Sequence, residues 1–357
     1  MDGSPEQIAQ AVERLRSGGL VAFPTETVYG LGADAFSEEA VRKVFAAKGR
    51  PAHNPLIVHV SGEEMAKSVA AEWPEDAKKL ARKFWPGPLS IVVPKVSTLP
   101  DVVTGSGPNV AVRCPAHPLT LALLEAFGSG LVGPSANISG FVSPTTAAHV
   151  RDAFDERDVL VLDGGSCTGG IESTVVSVVG GSARVLRSGL IDAALIGEVL
   201  GRNVECADSG VIRASPTAST PAEAPGQLGS HYAPRTKAIM VDADEVEKVV
   251  NGVRGVCVVM THQSEADSPF PEPLPSGERL QKSPTPKPPP SGRGIQRAHV
   301  LRMPADARGY ARRLYAALRE ADALHGELIV IVTPPDESKN PVWRAVRDRL
   351  KRATSER

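Results

Sequence analysis

Residues 20–32 read LVAFPTETVYGLG, a short apolar run followed at once by hydroxyl-bearing residues and glycines. The run from Leu20 to Phe23 predicts a short buried strand. In open α/β sheets, residues at the carboxyl end of such a strand, here Thr25 and Tyr29, commonly line a ligand crevice. An ordinary tight turn with hydroxyl caps would use the same residues, and the pattern alone slightly favours the turn.

Helix signals flank this stretch on both sides. Ser4, Pro5 and Gln7 together predict a capped helix start, and two glycines at 18–19 predict its end. A second helix is expected over about residues 37–47, with acidic residues in its first turn. Strand-like and helix-like segments then alternate, and some strands follow each other closely, which predicts an α/β fold with a twisted mixed open sheet covered by helices.

The chain is expected to form two domains, because 357 residues exceed what one core usually holds. We predict a catalytic α/β domain over 1–201, a linker or lid rich in small residues and proline over 202–236, and a smaller Rossmann-like α/β domain over 237–357. Within the last, about residues 264–294 include the run SPTPKPPPSGRG. Such a segment buries too little apolar surface to order itself, so a disordered insertion is predicted.

Composition excludes several classes of protein. The net charge of −1 argues against a module held to nucleic acid by a broad basic field. The four cysteines are far apart with no C-x-x-C pair, so neither a disulfide framework nor a cysteine zinc site is expected. No apolar run approaches the length of a membrane span, and no signal peptide is recognised at the start. Cytoplasmic location is therefore the default expectation.

Several cations and polar loops are candidates for ligand binding. Lys48 and Arg50 lie two residues apart, and on extended backbone they would point the same way and grip one polyphosphate. The alternative is that they offset the dipole of the preceding helix, and without other information it is preferred. His59 interrupts an apolar strand, where a structural role is about twice as common as ligand binding. Arg113 ends a buried strand and needs an anionic partner, either a protein carboxylate or a substrate carboxylate.

Two small-residue loops follow. Residues 133–140 read GPSANISG, and Ser143 before Pro144 predicts a helix start that would offer an anion site. Residues 164–174 read GGSCTGGIEST, where glycines permit either close approach to a ligand or a tight turn. The chain has no P-loop motif and no nucleophile-elbow motif, so any ATP site is of another kind and a covalent acyl-enzyme is not indicated.

Taken together, these motifs resemble the YrdC-like threonylcarbamoyl-AMP synthases in their long form, which carries a C-terminal domain. Seven segments match in order: PTETVYGLG, KGRP with NPLIVHV, FWPGPLS, VAVRCPAHPL, GPSANISG with SPT, GIESTVV and LRSG. They cover roughly the first 190 residues. The segments at 224–234 and 303–320 are similar to later parts of the long form. Ser177 stands where relatives often have Asp, from which we expect little consequence.

The resemblance implies roles for particular residues. L-threonine would be held by Thr25, His59, Arg113 and Ser173. ATP would be held by Lys48, Arg50, Asn54, Asn109, Ser135, Asn137, Ser143, Arg187 and Tyr232, with Lys48 and Arg50 also catalytic. Mg²⁺ would arrive with ATP rather than in a protein-held site. Tyr232, in the linker, would cover the nucleotide.

The activity implied is synthesis of L-threonylcarbamoyl-AMP, a nucleotidyl transfer from L-threonine, bicarbonate or CO₂, and ATP, with release of pyrophosphate. The product would pass to a tRNA threonylcarbamoyl-transferase for threonylcarbamoyladenosine modification of tRNA. Two alternatives are an RNA-binding module and a carbamoyl-transfer domain of the kind fused into hydrogenase-maturation proteins. Near-neutral charge and few aromatics disfavour the first. The chain lacks the acylphosphatase and zinc-finger parts that accompany the second.

Overall fold

The computed structural model describes residues 4–207, 231–262 and 298–355. The predicted insertion at about 264–294 and most of the predicted linker at 202–236 lie outside the described residues.

The first domain is built on one ten-stranded sheet. Its strands are β1 (Leu20–Phe23), β2 (Gly30–Asp34), β3 (Ile57–His59), β4 (Leu89–Pro94), β5 (Asn109–Arg113), β6 (Leu131–Val132), β7 (Val159–Val161), β8 (Thr174–Ser177), β9 (Arg184–Arg187) and β10 (Glu205–Cys206). The spatial order is β10-β9-β8-β4-β5-β3-β6-β2-β1-β7. Parallel pairs such as β3 with β5 alternate with antiparallel pairs such as β4 with β5, so the predicted mixed sheet is confirmed.

The helices of this domain are α1 (Pro5–Arg16), α2 (Glu38–Lys48), α3 (Glu63–Val69), α4 (Glu75–Phe84), α5 (Pro118–Phe127), α6 (Ala147–Arg151) and α7 (Ala193–Leu200). The predicted starts of the first two are confirmed, because Ser4 accepts a hydrogen bond from the Gln7 amide and Ser37 from the Ala40 amide. Gly49 ends α2 in the left-handed conformation, with φ of 60°.

The prediction of a helix starting at Pro144 with Ser143 as its cap is wrong. Residues 144–145 join extended backbone, where Pro144 and Thr145 carbonyls accept hydrogen bonds from Tyr29 and Cys167. The short helix α6 begins only at Ala147, capped by Thr146. The anion site expected at that helix start is therefore not at Ser143.

The end of the segment at residues 20–32 forms a strand and not a loop. Gly30 to Gly32 belong to β2, which pairs with β1 so that Phe23 lies opposite Gly30. A Cβ at Gly30 or Gly32 would lie within 3 Å of the Phe23 ring, so the glycines leave room for that ring. The sheet also extends past residue 201, because β10 pairs with β9.

Within its described residues, the C-terminal domain has a four-stranded parallel sheet and three α-helices. The strands are β11 (Ala238–Val241), β12 (Cys257–Thr261), β13 (Ala298–Arg302) and β14 (Leu328–Val332), in the order β11-β14-β12-β13. The helices are α8 (Val246–Gly252), α9 (Ala307–Ala323) and α10 (Val342–Thr354). The α/β architecture predicted for this domain is confirmed.

The two domains share one apolar core. Val28, Val142, Ile171 and Leu190 of the first domain pack in a single buried cluster with side chains of α9 and α10. A Cβ at Gly170 would lie 2.4 Å from the Arg312 Cα, so the backbones approach as closely as a glycine allows. Among the described residues, no helix combines the length and apolarity that a membrane span requires. All four cysteines are free thiols.

Candidate active site

A cleft lies at the strand ends where the predicted motifs converge, and about 570 Å³ within it is not filled by protein atoms. Its walls come from both sides of the sheet and from the end of the linker. The lining residues are Thr25, Thr27, Val28, Gly30, Arg50, Pro55, Leu56, Ile57, His59, Arg113, Gly133, Pro134, Ser135, Glu172, Ser173, Arg187, His231 and Tyr232. Every residue expected to hold threonine is in this set.

Arg113 has a protein carboxylate as its anionic partner. Its Nη2 lies 2.8 Å from Glu26 Oε2, in an ion pair without hydrogen-bond alignment. Its Nη1 donates to Thr27 Oγ1 at 2.9 Å, and its Nε donates to the Gly87 carbonyl at 3.2 Å. Glu26 lies within residues 20–32 but was not predicted as a site residue. The requirement of Arg113 for an anionic partner was the signal that pointed to such a carboxylate.

Thr25 both lines the cleft and caps the turn. Its Oγ1 accepts from the amides of Thr27 and Val28, lies 2.8 Å from Thr27 Oγ1, and contacts the Val28 carbonyl at 2.6 Å. The turn and the crevice are therefore the same structure, and the two readings of the motif are compatible.

His59 is buried and neutral. Burial and the Arg113 charge hold its pKa well below the ordinary value. Its ring packs edge-on to Phe23 with centroids 5.3 Å apart, and its Nδ1 has no hydrogen-bond partner within the described part of the chain. A Cβ at Gly133 would lie 2.6 Å from that Nδ1, so the ring and the loop depend on a glycine. A cleft-facing ring nitrogen suits a single hydrogen bond to a ligand.

Lys48 and Arg50 do not point the same way. Gly49 turns the backbone between them into the left-handed region, which removes the extended geometry on which their convergence was predicted. Lys48 is 1% exposed, and its Nζ donates to the carbonyls of Ser135 and Asn137 at 2.5 and 2.6 Å. Burial, then the Arg50 charge, hold its pKa well below the ordinary value. Lys48 therefore supports the loop rather than lining the cleft.

Arg50 lines the cleft. Its Nη2 donates to the Pro55 carbonyl at 3.1 Å, while its Nε lacks a partner among residues the structure describes. Burial lowers the pKa of Arg50 to about 10, opposed by Tyr232 and assisted by Arg187. The guanidinium stays charged at neutral pH and presents an open donor.

The loop at 135–141 is held by its own side chains. Ser135 Oγ donates to Asn137 Oδ1 at 2.6 Å, and Asn137 Nδ2 donates to the carbonyls of Ile138 and Phe141, both at 2.8 Å. Ser135 faces the cleft, whereas Asn137 is buried behind it. Asn137, like Lys48, therefore shapes the site.

Ser173 and Arg187 form a pair in the cleft wall. Arg187 donates from Nε to the Ser173 carbonyl and from Nη2 to Ser173 Oγ, each at 3.1 Å. Ser173 Oγ also lies 2.8 Å from Ser90 Oγ. The neighbouring Glu172 carboxylate accepts from Ser143 Oγ at 2.8 Å. Ser143 is thus a partner of a cleft carboxylate and does not itself line the cleft.

The linker closes the site with His231 and Tyr232. Tyr232 is 2% exposed and has φ of 62°, an uncommon conformation for a residue other than glycine. Its ring stacks on Tyr315 with centroids 5.6 Å apart, and Ala233 bridges to Phe141. Burial, then the Arg50 charge, lower the pKa of His231 to about 3. Tyr232 is packed and also faces the cleft, so its role as a lid stays a prediction.

Two further predicted ATP contacts, Asn54 and Asn109, are also absent from the lining residues, as are Lys48, Asn137 and Ser143. Asn54 is 2% exposed just before β3, and its Nδ2 has no hydrogen-bond partner in the described ranges. Asn109 begins β5 and pairs with Pro94, at the opposite end of the strand from Arg113. The structure therefore does not bring Asn109 together with the other candidates. Across the described residues, no group of three or more His, Cys, Asp or Glu side chains could hold a metal ion.

Comparison with known proteins gives consistent matches. Residues 13–189 match the Sua5/YciO/YrdC family, described as telomere recombination, and residues 191–355 match the threonylcarbamoyl-AMP synthase C-terminal domain. The threonylcarbamoyl-AMP synthase of Pyrococcus abyssi is 44% identical over 242 residues, which are 66% of this chain and 68% of that protein. The Bacillus subtilis protein of the same name is 46% identical over 196 residues, 55% of this chain and 57% of that protein.

The fold agrees with a solved structure over nearly its whole length. The crystal structure of Pyrococcus abyssi Sua5 complexed with L-threonine superposes with a TM-score of 0.81 at 34% identity, covering 98% of this chain and 95% of that one.

Proposed function

Because the chain belongs to the threonylcarbamoyl-AMP synthase family, we propose that it makes L-threonylcarbamoyl-AMP from L-threonine, bicarbonate or CO₂, and ATP. The relatives share this name, and one of them is described with L-threonine bound. Nucleotidyl transfer is the finer class of reaction that this proposal implies.

The observation that carries the proposal is a set of buried nitrogen atoms around one cleft. Arg50 Nε, His59 Nδ1 and His231 Nδ1 have no hydrogen-bond partner within the described ranges, and Arg113 Nη2 has its ion pair with Glu26 but no aligned hydrogen bond. Buried polar atoms without partners are rare in folded proteins and call for a ligand. The guanidinium groups of Arg50 and Arg113 have planar forks that suit carboxylate and phosphate oxygens.

We propose that Arg113 binds the threonine carboxylate beside Thr25, His59 and Ser173, and that Arg50, Ser135, Arg187 and Tyr232 contact ATP. Lys48, Asn137 and Ser143 would act by holding the loops that carry those contacts, and Asn54 would complete the ATP site. Asn109, at the far end of β5, would contribute least.

The chemistry needs no nucleophile from the protein. The threonine amine adds to CO₂ and loses a proton, which forms a carbamate; starting from bicarbonate, one water is released. A carbamate oxygen then attacks the α-phosphorus, the bond to the β-phosphate oxygen breaks, and pyrophosphate leaves. The protein positions two anions that repel each other and stabilises the charge that grows on pyrophosphate. We propose that Arg50 and Arg187 perform that task.

Magnesium is proposed as part of the MgATP substrate. The open Nε of Arg50 is an N–H donor, which fits a phosphate oxygen, whereas Mg²⁺ requires oxygen ligands. We propose that the product is then transferred, in the cytoplasm, to a tRNA threonylcarbamoyl-transferase.

Mass spectrometry of reactions with ATP, ¹³C-bicarbonate and single amino acids tests the proposal. We expect a labelled threonylcarbamoyl adenylate with L-threonine, none when bicarbonate is omitted, and far less with L-serine or L-valine. Arg113→Gln, assayed in parallel, should abolish the product. ATP consumption without an adenylate, or equal yields from the three amino acids, would contradict the proposed reaction.

A further inference from the structure

Two side chains of the C-terminal domain reach into the wall of the cleft. Tyr315 Oη, on α9, donates to the Glu172 carboxylate, at 2.8 Å from Oε2 and 3.1 Å from Oε1. Arg349 Nε, on α10, donates to Glu172 Oε2 at 3.1 Å. Tyr315 is 0% exposed and Arg349 is 1% exposed. A carboxylate that lines the cleft is therefore held from the other domain.

The charges in this network depend on each other. Burial alone would raise the pKa of Glu172, but the charges of Arg349 and Arg187 and the Ser143 hydrogen bond hold it below the ordinary value. Burial likewise opposes the charge of Arg349, yet Glu172 and nearby tyrosines raise its pKa above the ordinary value. A buried charge that loses its partner is strongly destabilising, so the pair remains together.

The network continues into the groups proposed to contact the substrates. Glu172 directly precedes Ser173, whose carbonyl and hydroxyl both accept hydrogen bonds from Arg187. Arg349 Nη1 donates at 2.6 Å to the carbonyl of Ser188, which is the residue after Arg187. Movement of Glu172 or Ser188 would therefore displace Ser173 and Arg187 relative to the cleft.

The same two side chains also contact the linker. The Arg349 guanidinium lies 5.9 Å from the centroid of the Tyr232 ring. The Tyr315 ring stacks on the same Tyr232 ring, with centroids 5.6 Å apart. Tyr315 and Arg349 therefore contact both the Glu172 carboxylate and the Tyr232 ring.

We propose that Tyr315 and Arg349 are positioning residues for the synthase reaction. They hold Glu172 and Tyr232 so that Ser173 and Arg187 present their hydrogen-bonding groups to threonine and ATP. The C-terminal domain is then part of the active site's framework and not an appended module. This inference rests on the proposed function.

Tyr315→Phe is the decisive variant, because it removes one hydroxyl and keeps the ring that stacks on Tyr232. We expect kcat/KM to fall about tenfold at a temperature well below the melting transition, since one hydrogen bond to a charged group is lost. In a Glu172→Gln background, the same substitution should have less than a twofold effect, because the charged acceptor is already absent.

Arg319→Met is the matched control. Arg319 also lies on α9 and donates to a carbonyl of the first domain, that of Val142, which does not line the cleft. It should leave kcat/KM within about twofold of wild type. Arg349→Met should reduce kcat/KM more than Tyr315→Phe does; if it does not fold, Tyr315→Phe still decides the question.

Two results would overturn the inference: a Tyr315→Phe enzyme that melts earlier but turns over normally, or an equal loss of kcat/KM in Arg319→Met. Either would make the network a docking contact only. Failure of the wild-type enzyme to form the adenylate would instead contradict the proposed function, so the two failures are distinguishable.

Discussion

Arg50→Met separates ligand binding from fold stability, because the guanidinium of Arg50 contributes little to the fold. Its one hydrogen bond within the described ranges goes from Nη2 to the Pro55 carbonyl, and its Nε has no acceptor. Its charge is opposed by burial and by Arg187. Losing a neutral-acceptor hydrogen bond costs about 1 kcal/mol, and relief of charge burial and repulsion offsets it. We expect a melting temperature close to that of wild type.

The expected loss lies in ATP binding. A charge-assisted hydrogen bond is worth about 1.5–3 kcal/mol, which corresponds to a rise in Kd of roughly 10- to 150-fold. Calorimetry with MgATP measures this directly. Thermal unfolding gives a second measurement, since a ligand at 100 times Kd stabilises the folded state by about 2.7 kcal/mol, and about half or more of that stabilisation should vanish at the same ATP concentration.

Arg42→Met is the control, because Arg42 lies on α2, the helix that ends just before Arg50, and its side chain is 62% exposed in an ion pair with Glu38. It should bind ATP like wild type. If Arg50→Met lowered the melting temperature by many degrees and bound ATP normally, Arg50 would be a structural residue and the reasoning from its open donor would fail.

Three further predictions follow from the same contacts. Arg113→Gln should abolish threonine binding in calorimetry and leave ATP affinity within about threefold, whereas equal loss of both ligands would identify a structural arginine. Lys48→Met should lower stability by about 2 kcal/mol and weaken ATP binding as well, because two hydrogen bonds to the 135–137 loop are lost; a normal melting temperature would show that the loop does not need Lys48. His231→Gln should weaken the pH dependence of the free energy of unfolding below about pH 6.5. The pKa of His231 is lowered to about 3, so as pH falls below about 6.5 the unfolded state binds a proton that the folded state does not, and the folded state loses about 1.4 kcal/mol per pH unit. Chemical denaturation of both proteins at pH 7 and pH 5 measures the difference, and an unchanged slope would contradict the assigned burial.

The parts of the fold that sequence reasoning found are those set by local chemistry. Side-chain caps at Ser4 and Ser37 and glycine ends predicted α1 and α2 to within about a residue. Tertiary pairing overrode local signals elsewhere. Ser143 and Pro144 read as a helix start, but the Tyr29 amide binds the Pro144 carbonyl and keeps that segment extended.

The site was predicted as a set of residues and not as a geometry. Thr25, His59, Arg113 and Ser173 were predicted to act together, and the structure brings all four to one cleft, while their roles stay predictions. The divergence of the two cations at 48 and 50 depends on the backbone of Gly49, whose φ of 60° is the left-handed conformation that a glycine after a helix favours, whereas the prediction assumed extended backbone there. The partners of Glu172 are separated from it by 143 and 177 positions along the chain, so no local pattern could pair them.

The distribution of charge around the cleft explains why ligand binding and folding should be linked in this protein. Burial, and then the Arg50 charge, lowers the pKa of Lys48, while burial and the Arg187 charge lower the pKa of Arg50. Arg113 has Glu26, and Glu172 has Arg349, so the carboxylates of this region are already paired with cations. A polyphosphate is the group that would complete the balance, and binding it would favour the charged forms of the remaining cations. Under the proposed function, these cations would therefore lower the free energy of the ATP-bound state relative to that of the free protein.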